Sequence, residues 1–130
     1  MGFTLEFDGK NGVVRLTLDG ILTDEILSNS YAALAKFVSS HGPCRAISDA
    51  TKVTKFYVSS AAVRELARSA PAVPVGYMRV FVAPRDELYG MARMFQILGD
   101  KTRPDLHVVR TLEDAYRLLK IEAPEFVPVS

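Results

Sequence analysis

The chain has 130 residues, 48% of them apolar, with 16 basic and 15 acidic side chains and a net charge of +1. That length suits one domain able to bury a core without disulfides or metals. The apolar fraction excludes intrinsic disorder, and the balanced charge, with no long basic run, gives no ground for nucleic-acid binding.

The first elements alternate. Phe3, Leu5 and Phe7 point one way with Thr4, Glu6 and Asp8 between them, Gly9 to Gly12 form a turn, and Val14, Leu16 and Leu18 resume the pattern. Two alternating runs around a Gly/Asn turn predict a β-hairpin with one solvated face. The period then lengthens. Thr23 is placed to cap a helix whose first turn carries Asp24 and Glu25. Leu27, Tyr31, Leu34 and Val38 recur at helical spacing, and His41-Gly42-Pro43 stops the run. Cys44 to Ser48 reads as a short strand ending at Asp49, followed by a polar loop, Thr51 to Lys55. A second helix is expected from Ser60 to Ser69, ended by Pro71 and Pro74.

Tyr77 to Ala83 is nearly continuous in apolar residues, which predicts a central strand covered on both faces. Pro84-Arg85-Asp86 leads into a third helix with Leu88, Met91, Phe95 and Leu98 on its inner stripe and Gly99 at its end. Gly90 within it costs about 1 kcal/mol relative to alanine, so close packing is the expected reason for it. A short strand, Leu106 to Val109, precedes Thr111-Leu112-Glu113-Asp114, which resembles a capping box. The last helix carries Ala115, Leu118 and Leu119. The tail from Ala123 contains Pro124 and Pro128 and is expected to be extended.

The order is β-β-α-β-α-β-α-β-α. It predicts an α/β fold with a mixed five-stranded sheet, one domain over residues 1–122 and a tail over 123–130. The longest nearly apolar stretch, Tyr77 to Pro84, is too short to span a bilayer and contains Arg79. The first residues lack a basic segment and an apolar signal core, and Glu6 stands where a myristoylation motif needs serine or threonine. The expectation is a cytoplasmic protein without a transmembrane segment. The single cysteine, Cys44, allows no internal disulfide and suits a reducing compartment.

In open α/β sheets, ligands bind beyond the carboxyl ends of the parallel strands. That rule selects Asp49, Arg85 and Arg110, with Ser59 and Ser60 at the start of the second helix. A helix N-terminus flanked by arginines can hold an anion; more commonly such serines, and Asp86 after the fourth strand, only cap helices. Tyr89, Arg93 and Gln96 form a stripe that is either a partner contact or a solvated helix flank. No metal or cofactor is expected. His41 and Cys44 lack a second ligand pair, and a Cys44–His107 nucleophile pair requires the two to meet in space. No Gly-rich phosphate loop, G-x-S-x-G elbow or paired acid and base stands out, so an enzyme is not expected.

The segment Val80-Phe81-Val82-Ala83-Pro84-Arg85-Asp86-Glu87-Leu88-Tyr89-Gly90-Met91-Ala92-Arg93-Met94-Phe95, with Val109 to Ala115, resembles the SpoIIAA-like bacterial group of the STAS fold. The resemblance covers essentially the whole chain. It implies a regulatory module that works by protein contact. In STAS antagonists, a helix after the third strand begins with a phosphorylatable serine preceded by aspartate. Ser59 is the better positional match, but Val58 stands in the aspartate's place and Ala61 in that of the following glycine.

The expected function is therefore a non-catalytic STAS-like interaction module. Ser59, Ser60, Asp49 and Arg85 are candidate phosphorylation or anion-binding residues. Tyr89, Arg93, Arg110, Phe56 and Tyr57 are candidate partner or ligand contacts. The expected partner is a protein; Phe126 and Val127 either serve self-association or pack on their own domain. A likeness of the fold to CRAL-TRIO lipid-binding domains supplies an alternative: a small apolar ligand lined by Phe56, Tyr57, Tyr89 and Met94. A second alternative is an enzyme site at the strand ends, built from Asp49, Ser59, Ser60 and Arg85.

Overall fold

The structure, a computed structural model, describes residues 2–129. Met1 and Ser130, the outer ends of the expected domain and tail, lie outside the described residues. The elements in chain order are β1 (Phe3–Asp8), β2 (Val13–Thr23), α1 (Asp24–His41), β3 (Arg45–Tyr57), α2 (Ser60–Arg68), β4 (Arg79–Val82), α3 (Asp86–Leu98), β5 (Leu106–Val109), α4 (Leu112–Leu119) and β6 (Val127–Pro128). They form one mixed sheet in the order β5-β4-β3-β2-β1-β6. Strands β2 to β5 are parallel, and β1 is antiparallel to both β2 and β6.

Local chemistry accounts for most element starts. The hairpin pairs Phe3 with Leu18, Leu5 with Leu16 and Phe7 with Val14, as the alternation predicts. Thr23 caps α1 by accepting from the Ile26 N–H at 3.2 Å, and Thr111 caps α4 by accepting from the Asp114 N–H at 3.0 Å. The strand expected over Tyr77 to Ala83 forms over Arg79–Val82 alone, with all four residues buried, while Tyr77 is exposed.

Three expectations are corrected. The sheet has six strands rather than five, because Val127 and Pro128 of the tail add to β1 opposite Phe7 and Glu6. The third strand does not end at Asp49: it runs on to Tyr57 alongside β2, pairing Gly20 with Val53 and Thr23 with Tyr57. Threonine-rich polar residues suit an exposed strand as well as a loop, and the partner strand decides. The register shifts between Gly20 and Ile21, where Gly20 adopts φ +79°, a left-handed conformation that favours glycine at a bulge. Finally, Gly90 is not held by close packing. A Cβ there meets nothing within 4 Å.

Topology fixes the layers. Strands β2, β3, β4 and β5 advance across the sheet in one direction, so right-handed crossovers put α1, α2 and α3 on a single face. The crossover from β5 to β6 runs back the other way and places α4 on the opposite face. The cores agree with this. Leu16, Leu34, Ala46, Phe81, Leu88 and Phe95 belong to the core under the three helices. Val13, Ile47, Val80, Val82, Ala115 and Leu119 form the smaller core under α4. The hairpin's second face is thus partly covered rather than fully solvated.

The β1–β2 turn is fastened by Asp8, whose side chain is buried. Its Oδ1 accepts from the backbone N–H groups of Lys10 and Asn11, and its Oδ2 accepts from Asn11 Nδ2 at 2.6 Å. Burial alone would raise the Asp8 pKa, but these hydrogen bonds outweigh it and hold the carboxyl below its ordinary 3.8. A depressed folded-state pKa means that Asp8 contributes stability above the unfolded value and loses it as pH falls through the folded one. Denaturant titrations over that acid range should show a smaller pH dependence for Asp8→Asn than for wild type. Gly90→Ala is expected to raise stability by about 0.5–1 kcal/mol in the same assay, because the helix gains propensity without a clash.

Candidate functional site

The residues selected from the sequence do not converge on one crevice. Asp49 lies inside the sheet, paired with Thr17 on β2 and Val82 on β4, and is 3% exposed. Its Oδ1 accepts from the Thr51 N–H at 2.8 Å. Ser59 lies two residues past the far end of β3. The nine residues from Asp49 to Tyr57 span roughly 25 Å of strand. The physical reason is topological. Ligand crevices open where the strand order reverses, and β2 to β5 advance without a reversal.

Each remaining group at the strand ends is paired locally. Ser59 caps α2, accepting from the Ala62 N–H at 3.1 Å. Its own N–H and hydroxyl donate to the two oxygens of Asp24, at 2.7 and 2.8 Å. That carboxylate sits where a phosphate on Ser59 would gather its charge. Ser60 is exposed in the first turn of α2. Arg85 donates to the backbone carbonyls of Val53 and Thr54 and pairs with Glu87. It therefore fastens the start of α3 to the protruding part of β3. Arg85 is also the N-cap residue of α3, in place of Asp86, and makes no side-chain cap. Asp86 instead accepts from Arg110 at 2.8 Å.

The stripe on α3 also divides. Tyr89 lies beneath the Arg110 guanidinium, 4.0 Å from ring centroid to carbon. Arg93 donates to Gln96, whose amide donates to the Leu106 carbonyl at 2.8 Å and so ties α3 to β5. Phe56 and Met94 line a cleft of about 190 Å³ with Val58, Ser59 and Met91. Tyr57 and Tyr89 do not line it, so the four residues expected around one apolar ligand are not gathered.

Cys44 is buried under α1, and burial pushes its thiol pKa up, away from the nucleophilic thiolate. His107 pairs with Val80, whose side chain faces α4, so Cys44 and His107 lie on opposite sides of the sheet. Among the described residues, no three His, Cys, Asp or Glu side chains could hold a metal. No helix among them is long and apolar enough to cross a membrane. In the tail, Phe126 packs against the Arg15 guanidinium at 4.1 Å, while Val127 is 61% exposed.

The most unusual polar chemistry lies elsewhere, between the sheet and α1–α3. Arg79 on β4 and Arg103 before β5 are each 7% exposed. Both guanidiniums lie against the Tyr31 and Phe95 rings. Arg79 is 5.6 and 5.9 Å from their centroids, and Arg103 is 5.9 and 4.6 Å. Arg103 is partnered through both of its Nη groups, while its buried Nε has no partner among the described residues. It donates to the Leu66, Ala67 and Ser69 carbonyls at the end of α2 and to the Tyr31 hydroxyl. Among the described residues, Arg79 donates only to Ser48 Oγ, from Nε at 3.3 Å and from Nη2 at 3.1 Å. Burial pushes its pKa down to about 10; Tyr31 opposes this and the Arg103 charge adds to it. Neither arginine joins the ion pairs formed by Arg15, Arg85, Arg110 and Arg117. The signal for this cluster was an arginine inside a strand expected to be covered on both faces.

No protein-family model matches the chain, and no curated protein matches it in sequence.

The two serines separate experimentally. Ser59→Ala removes a cap and the contact to Asp24, and should cost about 1 kcal/mol in denaturant unfolding. Ser60→Ala should remain within about 0.5 kcal/mol of wild type.

Proposed function

We propose that this chain is a non-catalytic, STAS-like module that acts through protein contact, and that the outer face of the extended β2–β3 ribbon makes the contact. The carrying observation is the exposure of Tyr57 and Ile21, at 65% and 48%. Ile21 is in register with Lys55, and Thr23 with Tyr57, so these four side chains share one face. On the other face, Leu22 and Phe56 pack into the core beneath the helices.

The ribbon continues past its neighbours, since β1 pairs β2 only as far as Leu18 and β4 pairs β3 only as far as Asp49. An apolar pair flanked by Lys55 and Lys52 has the mix of aromatic anchor and polar rim that protein interfaces use. The STAS-like reading rests on the Val80–Phe95 segment and on the strand–helix order. Local pairing of Ser59, Arg85 and Arg110 supports the non-catalytic part of it.

The test is affinity capture from the native host, with size-exclusion light scattering of the purified protein. Wild type should retain a protein partner or self-associate. The double variant Ile21→Glu/Tyr57→Glu should lose that contact while its circular dichroism and unfolding midpoint stay near wild type. A monomeric wild type that retains nothing, or a double variant that keeps the same contact, contradicts the proposal.

A further inference from the structure

Gly90 has no packing reason within this chain. It lies in the interior of α3, where glycine weakens the helix relative to alanine. It is exposed, and a Cβ on it meets nothing within 4 Å among the described residues. Its effect is to leave one wall of a cleft bare. Glu87, Gly90, Met91 and Met94 stand at positions i, i+3, i+4 and i+7, so they share a face of α3, and that face lines the cleft between α3 and the start of α2. Phe56 and Val58, around the end of β3, and Val63 on α2 complete the apolar lining. The centre of a water molecule can sweep about 190 Å³ of this space. One water needs roughly 10–15 Å³ on that measure, so the room equals about a dozen waters and admits a whole leucine or methionine side chain.

We propose that this cleft receives a leucine- or methionine-type side chain from the protein that meets the β2–β3 ribbon, and that Gly90 keeps the space open for it. The proposal rests on that ribbon contact. Phe56 and Val58 flank Tyr57 in the chain, so the cleft opens at the tip of the ribbon and one partner segment reaches both. Charge selects the occupant. Among the described residues that line the cleft, Glu87 is the only charged one, and Arg85 already pairs with it. A charged side chain entering here gives up its water without gaining a counter-charge. An aliphatic one removes apolar surface on both sides from water. Met91 and Met94 suit such a pocket, because unbranched side chains adapt to what enters. Ser59, Ser60 and Glu87 give the apolar floor the polar rim that protein interfaces carry. Glycine at position 90 lets the incoming side chain approach the backbone of α3, at a loss of stability that nothing in the isolated chain offsets.

Methyl-resolved NMR titration of the purified protein tests the cleft directly. The probes are the N-acetyl amides of leucine, alanine and lysine. The leucine amide should shift the methyl resonances of Val58, Val63, Met91 and Met94 in a saturable way. The alanine amide should bind about tenfold more weakly or worse because it buries fewer carbons, and the lysine amide likewise for want of a counter-charge. Gly90→Leu puts the protein's own side chain into the cleft. It should weaken the leucine amide about tenfold, the loss of a few buried carbons, while its unfolding midpoint stays at or above that of wild type. If Gly90→Leu does not fold, the three amides on wild type decide the matter. Methyls left unmoved by the leucine amide would overturn the proposal. So would an alanine or lysine amide that binds as tightly, or a folded Gly90→Leu that binds the leucine amide like wild type. The ribbon contact is judged apart from this, by Ile21→Glu/Tyr57→Glu. A partner lost from that double variant but fully kept by Gly90→Leu leaves the ribbon contact standing and overturns the cleft. Wild-type dimers that Gly90→Leu dissolves would assign the cleft to a second copy of this chain and overturn a separate partner.

Discussion

The one-directional advance of β2, β3, β4 and β5 governs this molecule. Each parallel step needs a right-handed crossover, and three steps in the same direction stack α1, α2 and α3 on one face. Only the return from β5 to the β6 edge reaches the other face, and α4 lies there alone. The large core, with its buried arginines, therefore sits under three helices, while part of the opposite face remains open. The same constraint removes the strand-order reversal that usually makes a binding crevice in a parallel sheet. Function has to be sought within the helical layer or on the uncovered sheet face.

Local signals carried much of the fold. Thr23 and Thr111 announce helices because a threonine side chain satisfies an otherwise unpaired N–H. The alternation of Phe3, Leu5 and Phe7 announces a strand because one face is buried. Long-range pairing was not legible. Thr51 to Lys55 looks like a loop in isolation and becomes strand only because β2 continues beside it. Val127 and Pro128 have too little pattern to declare a strand, and their partner is more than a hundred residues away in sequence. The candidate site suffered for the same reason. Placing Asp49 at a strand end put it beside Ser59 and Arg85, and extending the strand moved them apart.

Arg79 and Arg103 show how two similar charges can have different roles. Arg103 turns its guanidinium onto the carbonyls of Leu66, Ala67 and the C-cap Ser69, so its charge and donors add to the Ser69 cap at the end of α2. Arg79 has a serine hydroxyl and two aromatic rings, which orient it without neutralising it. The two positive groups crowd the same rings.

A methyl-resolved nuclear Overhauser spectrum tests the placement of the helices most directly. Methyls of Leu34 and Leu88 should contact the core around Phe81, and methyls of Leu119 should contact Val80 and Val82. Contacts from Leu119 to Phe81 or Leu88, with none to Val80 and Val82, would contradict the one-directional advance of the strands.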